Sequence, residues 1–302
     1  MSQRSATVRV PATSANLGPG FDSLGVALDW TMRITVTVSD QSLPAPAGPI
    51  EGMAASAAAA LYRSAGLDLP AGITATYVGD MPVGRGLGTS ASARVAGVLA
   101  ADALIGGGHA PEELLPTAIK LEGHGDNATP AMFGGLQVVV DDDGALVHVA
   151  IPPPEDLRLA LVIPDLSMPT HESRQRLPDL LTRNQAVHNI GRAALLIAAL
   201  TQGRYELLGT ATEDVLHQPA RAGLFPAMLP IFRAARQAGA YGVYLSGGGS
   251  TVAAFVDAAR AEVVAGAMRV AAAAHGLAAE SRVCAMAAAG ASLVDGTGEA
   301  VP

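Results

Sequence analysis

The sequence predicts an α+β protein of two domains, and three observations carry that expectation. Short runs such as residues 7–10 and 32–38 alternate apolar and polar side chains, the period of a half-buried antiparallel strand. Ala-rich stretches near 50–65, 89–105 and 259–275 read instead as helices. Between the two halves stand Pro152, Pro153 and Pro154, three rigid residues after a strand-like run. They divide the chain into residues 1–152 and 153–302.

Taken in order, the chain opens with a strand at 7–10. Residues 11–22 combine two Pro, two Gly, and Asn, Ser and Thr, which is loop chemistry. Strands follow at 24–28 and 32–38, then a polar, Pro-rich loop at 39–49 and a helix at 50–65 that ends near Gly66. A strand at 73–78 leads to the turn Asp80-Met81-Pro82 and to a loop of small residues with Gly84, Gly86 and Gly88. That loop feeds a helix at 89–105, stopped by three glycines at 106–108. Pro111 suits the first turn of the next helix, and Pro116 should kink or restart it. A dense polar stretch at 120–127 precedes a turn and strand at 133–140, with a hairpin tip at 141–144. The triple Asp at 141–143 lacks a calcium-loop pattern and belongs to that tip.

Beyond the prolines come a strand at 157–163, a loop at 164–170, and helices at 184–201, 205–215 and 225–237. A strand at 241–245, a second glycine loop at 246–251, a strand at 252–256, a helix at 259–275 and a strand at 282–287 complete an α+β domain on an antiparallel sheet.

Composition narrows the function classes. The 302 residues are half hydrophobic but only 4% aromatic, so the core must be built from Ala, Val, Leu and Ile. A net charge of -8 argues against a nucleic-acid partner, which needs a basic patch. The longest helical apolar run, 193–200, is too short for a bilayer span of ~20 residues, so no membrane partner is expected. The first nine residues are polar and show no signal-peptide core. With Cys284 alone, no disulfide within the chain can form, which suits a reducing compartment and reads as a buried core thiol. A soluble cytoplasmic protein is the expectation.

The loop from Pro82 to Ser92 has the makings of an anion site. Free N–H groups at a helix start point outward, the helix dipole favours negative charge, and glycines admit a bulky phosphate. Thr89, Ser90 and Ser92 add hydroxyls, and a hydroxyl beside a phosphate can also hold Mg²⁺. The loop lacks the Lys of a Walker A motif and the spacing of a dinucleotide fingerprint. Alone it is equally an ordinary turn before a buried helix.

Other segments shift that balance. Residues 10–25, with Asn16 and Asp22, resemble the first motif of the homoserine branch of the GHMP kinases. Residues 82–92 resemble that family's phosphate loop, with Thr89 for the usual Ser and Ser92 for the usual Ala. Glu122-Gly-His-Gly-Asp-Asn127 with Phe133-Gly-Gly135 looks like the branch's E-G-H-x-D-N…F-G-G signature. Residues 245–251 resemble the third motif, with Ser250 where Pro is usual.

The resemblance implies a two-domain GHMP kinase fold. Its N-terminal, ATP-binding domain (1–152) would be of ribosomal-S5-domain-2 type and its C-terminal domain (153–302) ferredoxin-like, with the active site in the cleft between them. It also implies ATP- and Mg²⁺-dependent phosphorylation of the side-chain hydroxyl of an amino acid by a homodimer. Pro82, Val83, Gly84, Arg85, Gly86, Leu87, Gly88, Thr89, Ser90, Ala91 and Ser92 would wrap the ATP phosphates. Ser90 and Glu122 would hold the metal. Asn16, Asp22 and Asn127 would surround the amino and hydroxyl ends of the substrate, Arg174 and Arg221 would bind its carboxylate, and Thr170 would supply a neighbouring hydroxyl.

The residue types suit those roles on chemical grounds. A zwitterion needs a carboxylate for its ammonium and a guanidinium for its carboxylate. Phosphoryl transfer needs positioning and charge neutralisation more than covalent help. Where other branches have an Asp taken as general base, this chain has Asn127, which cannot take a proton at neutral pH; Asp22 is the nearest alternative base. Asn127, Asp22, Ser90 and Glu122 are thus the candidate catalytic set. Plainer readings exist for several of these residues. Asn16 and Asp22 suit turns, His124 a structural histidine, Arg174 a solvated cluster with Arg176 and Arg183, and Arg221 a helix C-terminus. A kinase for another hydroxy amino acid or amino alcohol, and a non-catalytic ligand sensor on the same fold, are the alternative functions.

Overall fold

The structure, a computed structural model, describes residues 3–168 and 170–295, leaving aside the side chains of Thr170 and His171. The first sheet has six strands in the order β10-β1-β2-β4-β5, with β3 also paired to β2. Strand β1 spans Gln3–Ala15, β2 Leu24–Ser39, β3 Gly72–Val78, β4 Leu136–Asp142, β5 Ala145–Ile151 and β10 Ser292–Val294. All its pairings are antiparallel.

Two sequence expectations merge here. The strands expected at 24–28 and 32–38 are one strand, β2, because Asp29, Trp30 and Thr31 continue the alternation. Ile34, Val36 and Val38 point inward while Arg33, Thr35 and Thr37 point away from the core. Strand β1 likewise runs through Pro11 to Ala15, well into the expected loop. Its register shifts between Pro11 and Thr13, so the missing proline N–H falls at an irregularity rather than in the ladder.

Three helices cover one face: α1 (Pro49–Ser64), α2 (Thr89–Ile105) and α3 (Pro111–Glu122). Small residues let them approach closely. A Cβ on Gly97 of α2 would lie 2.2 Å from the Ala54 carbonyl oxygen of α1. Such contacts replace the aromatic packing that this composition lacks. Helix α3 runs on through Pro116, so the helix does not restart there. A short helix, α4 (Ala128–Phe133), turns the polar stretch into β4. Asp143 and Gly144, both at positive φ, close the expected hairpin between β4 and β5.

At the end of α2, the buried Asp102 carboxylate meets Nδ1 of the exposed His109 at 2.5 Å. That hydrogen bond, with the attraction between the charges, raises His109 above its ordinary 6.5. The contact therefore contributes fully below the unfolded value and fades as pH rises through the folded one. Thermal melts of the wild type and His109→Ala should differ more at pH 6 than at pH 8.5.

The second sheet is ordered β7-β8-β6-β9, from β6 (Leu157–Pro164), β7 (Gly242–Leu245), β8 (Val252–Asp257) and β9 (Ala279–Ala285). Helices α9 (Met228–Gln237) and α10 (Ala261–Ala274) supply much of its core, with Ile231, Phe232, Val264 and Met268 against Ala160, Val162 and Ala254. Helix α5 (Thr170–Gln175) was not foreseen, whereas α6 (Arg183–Gln202) was. The helix expected at 205–215 is instead a single 3₁₀ turn, Tyr205–Leu207, and a four-residue α7 (Leu208–Ala211). Asp214 is the reason the chain turns there: its carboxylate accepts the N–H groups of Leu216, His217 and Gln218. It thereby starts α8 (Gln218–Ala222).

Cys284 lies in β9 with a free thiol that burial pushes up to about 12, as expected of a core cysteine. The chain then crosses back to the first sheet, where β10 pairs with β1, Thr7 opposite Val294. No described helix is long and apolar enough to cross a membrane.

Candidate active site

The glycine loop, the first motif and the second glycine loop converge on one cleft. Gly84, Gly86 and Gly88 all hold positive φ. The loop is clamped from both sides. A Cβ on Gly86 would lie 2.1 Å from the Ser246 carbonyl oxygen, and one on Gly88 would lie 1.8 Å from Thr13 Oγ1. Thr13 N donates to Leu87 O, Thr251 N to Arg85 O and Ser246 Oγ to Gly86 O, so backbone and hydroxyl donors from β1 and the second glycine loop fix the loop's path.

Two of its three hydroxyls are spent on backbone carbonyls, and the third meets a carboxylate of the cleft. Thr89 Oγ1 donates to Pro82 O at 2.8 Å, and Ser92 Oγ, fully buried, donates to Pro11 O at 2.7 Å. Ser90 Oγ donates to Glu122 Oε1 at 2.6 Å across the α2–α3 contact. Glu122 Oε2 pairs with Arg94, one turn beyond Ser90 on α2. Ser90 and Glu122 line the cleft together. Their oxygens could be neighbours on one octahedral Mg²⁺, whose adjacent ligands stand about 3 Å apart, and hard oxygen donors are what that ion takes. The donor set fits a magnesium ion carried by a triphosphate.

The loop residues fall in different settings. Gly84, Gly86, Leu87, Gly88, Thr89 and Ser90 line the cleft. Ala91 and Ser92 do not, because the helix has already turned them into the core. Pro82 and Arg85 face a separate groove, where Arg85 pairs with Asp165 at 2.6 Å, and Val83 is exposed outside the cleft.

At the opposite end the first motif makes a tight, strained turn. Asn16, Leu17 and Asp22 hold φ of +70°, +49° and +57°, left-handed values that Asn and Asp tolerate best. The Asn16 amide spans the motif: Oδ1 accepts Asp22 N at 3.0 Å, and Nδ2 donates to Gly247 O at 3.0 Å. Asn16 lines the cleft, and its side chain ties Asp22 to the second glycine loop. Asp22 in turn accepts both arms of Arg174, at 2.9 and 2.5 Å. The two groups expected to meet opposite ends of a zwitterion thus satisfy each other.

Arg221 is different. It is 2% exposed, and its NH1 is anchored on His217 Nδ1 at 2.8 Å and Gly247 O at 3.0 Å. Its Nε–H is buried without a partner. Burial and the neighbouring Arg174 charge push the guanidinium down to about 10, so it stays cationic at neutral pH. A buried cation with an unpaired donor in a cleft favours an anion. Asn127 Oδ1 accepts Thr13 Oγ1 at 2.7 Å, so Asn127 keeps its N–H groups for its surroundings; one approaches Asp126 Oδ1 at 3.3 Å. Asp126 also takes Nδ1 of His124 at 2.5 Å, and both residues line the cleft. The Thr170 side chain lies outside the described residues.

Residues 52–135 match the family model of the GHMP kinases N terminal domain, and residues 196–273 that of the GHMP kinases C terminal. The chain belongs to the GHMP kinases. It is 40% identical over 259 residues to the homoserine kinase of Caldicellulosiruptor bescii, a match covering 83% of this chain and 84% of the relative. To that of Desulfitobacterium hafniense it is 36% identical over 295 residues, covering 95% and 99%. The crystal structure of homoserine kinase from Cytophaga hutchinsonii aligns with a TM-score of 0.86 at 28% identity, over 96% of this chain and 97% of that one. Within the family, then, the chain stands with the homoserine kinases.

Several residues behind or in the cleft escaped sequence reasoning. Arg94 and Thr13 reach Glu122 and Asn127 across the fold, and His217 reaches Arg221 from one helical turn away. Phe21 was within reach, because it sits beside Asp22. Its ring lies 5.2 Å from Arg174 Cζ and 5.5 Å from Arg221 Cζ, between the two cations.

Proposed function

We propose that the protein transfers the γ-phosphoryl group of ATP to the side-chain hydroxyl of L-homoserine, giving O-phospho-L-homoserine, an early step of threonine biosynthesis. The observation that carries this reading is the Arg221 guanidinium, anchored through NH1 and buried with Nε–H unpaired, in the same cleft as the glycine loop. A carboxylate-bearing acceptor satisfies that donor; an amino alcohol does not.

In this reading the N–H groups from Gly84 to Ser90 cradle the phosphates, and Ser90 and Glu122 hold Mg²⁺, which when bound neutralises charge on the transferring group. Arg221 and Arg174 take the substrate carboxylate and Asp22 its ammonium, so binding exchanges the Asp22–Arg174 pair for two pairs with the ligand. Asn127 meets the acceptor hydroxyl through Nδ2, because Thr13 occupies its oxygen. It orients that hydroxyl and takes no proton. Asp22, occupied by the substrate ammonium in this reading, is not the base either. Residues 1–152 form the ATP-binding domain and 153–302 the C-terminal one, tied by the return of β10 to the first sheet. A cytoplasmic homodimer completes the reading, with sedimentation equilibrium as its check.

The test is ADP release with L-homoserine, compared with L-serine, mevalonate and galactose. Absence of turnover with homoserine sinks the proposal. The clamped loop gives a second test. Gly86→Ala places a methyl group against the Ser246 carbonyl at a positive φ, so the loop must shift. The KM for ATP should rise about tenfold while that for homoserine holds, since small displacements of a positioning loop cost rate steeply.

A further inference from the structure

His217, fully buried in the turn before α8, stands behind Arg221 and has no place in the chemistry above. Its ring nitrogens are assigned by their partners. Nε2 lies 2.7 Å from the Gly18 carbonyl oxygen, which can only accept, so Nε2 carries the proton. Nδ1 is then an acceptor, 2.8 Å from Arg221 NH1, which can only donate. Burial, assisted by the Arg221 charge, pushes the imidazole down to about 4 against the pull of Asp214, so it stays neutral at working pH.

The imidazole cannot drift. Asp214 Oδ2 accepts the backbone N–H of His217 at 2.9 Å and of Gln218 at 2.7 Å, and Asn189 Nδ2 donates to Oδ1 of the same carboxylate at 2.7 Å. The Phe21 ring packs 5.5 Å from the His217 ring, centroid to centroid. Two acceptors on one nitrogen, His217 Nδ1 and Gly247 O, set the plane of the guanidinium. That plane decides where the unpaired Nε–H points. Gly247 O alone would leave the group free to swing, because Asn16 Nδ2 already shares that oxygen.

We propose that His217 is a positioning residue for the acceptor carboxylate: its Nε2-protonated tautomer, tied to Gly18, presents Nδ1 to Arg221 and turns the Nε–H edge toward the substrate. The inference rests on the reading of Arg221 as the carboxylate site. It also names a second reason for the first motif to be rigid. Gly18 holds the histidine, and Asn16 and Asp22 of the same turn face the ligand, so one loop sets both ends of the acceptor pocket.

Two near-isosteres separate the two hydrogen bonds of the ring. His217→Asn keeps an oxygen acceptor where Nδ1 stands and gives up Gly18; His217→Gln reaches Gly18 and leaves Arg221 without its acceptor. The expected result is a KM for homoserine within about threefold of wild type for Asn, and raised about tenfold or more for Gln and for His217→Ala, on the scale of a hydrogen bond to a charged group. The KM for ATP should hold in all three. Calorimetric titration of homoserine without ATP should give the same order. Equal losses in all three variants, a parallel rise in both KM values, or rescue by Gln rather than Asn overturns the proposal. A histidine-selective ¹⁵N spectrum of the wild-type protein tests the tautomer independently of how the variants fold: a buried imidazole protonated on Nε2 is expected, and protonation on Nδ1 overturns the proposal. Wild-type protein that neither binds nor turns over homoserine would overturn this inference and the functional reading together, whereas variants indistinguishable from an active wild type would overturn this inference alone.

Discussion

Arg221→Leu raises the KM for L-homoserine by about two orders of magnitude and leaves the KM for ATP nearly unchanged. The size follows from the bonds lost: a guanidinium gripping a carboxylate makes charge-assisted hydrogen bonds of roughly 1.5–3 kcal/mol each, and two of them exceed 100-fold in affinity. The selectivity follows from place. Arg221 touches the first motif and the second glycine loop through His217 and Gly247 O, and it makes no hydrogen bond to the phosphate loop. The substitution also strands His217 Nδ1 as a buried acceptor, so a lower Tm is expected beside the kinetic effect. Steady-state kinetics with each substrate varied in turn, run well below that Tm, separates the two. An equal rise in both KM values would mean that the substitution damages the fold and that Arg221 is no carboxylate site. Arg174→Leu should be milder, because Arg174 is part-exposed and already neutralised by Asp22.

Much of this site was legible because its chemistry is concentrated in short segments. The glycine loop, the first motif and the Glu122–Asn127 stretch each hold residues whose types fit one task, and the fold brings the three to one cleft. What stayed hidden depends on long-range contact. Arg94 is an unremarkable helix residue until α3 places Glu122 beside it. Thr13 seemed part of a loop because Pro11 and Gly18 flank it; only the pairing of β1 with β2 shows it to be a strand residue aimed at Asn127. The hydroxyls of Thr89 and Ser92 misled for the opposite reason. Sequence shows a hydroxyl but not its partner, and both are consumed by backbone carbonyls. The fold followed the same division. Long periodic helices such as α2 and α6 were placed to within a residue or two, while α8 depends on Asp214 capturing three backbone N–H groups, which periodicity cannot reveal.

Glu122→Gln lowers kcat by about two to three orders of magnitude, the usual cost of removing one preorganised charge-stabilising group. The amide preserves the volume and can still accept from Ser90, so the α2–α3 contact persists. What disappears is the negative charge. Mg²⁺ loses its only anionic protein ligand in this reading, and half-buried Arg94 loses its ion partner. Two readings of Glu122 then diverge. If the carboxylate only staples α2 to α3, Glu122→Gln and Arg94→Ala should lower Tm alike and leave the Mg²⁺ dependence of kcat in place. If it holds the metal, only Glu122→Gln shifts the Mg²⁺ titration to higher concentration and weakens calorimetric binding of Mg·ADP. Arg94→Ala should then leave the metal with a fully charged carboxylate, and Mg²⁺ should be needed at the same concentration or a lower one. The second pattern is the one expected, because Ser90 and Glu122 both line the cleft and meet through Oε1, whereas the Arg94 contact is confined to the other oxygen.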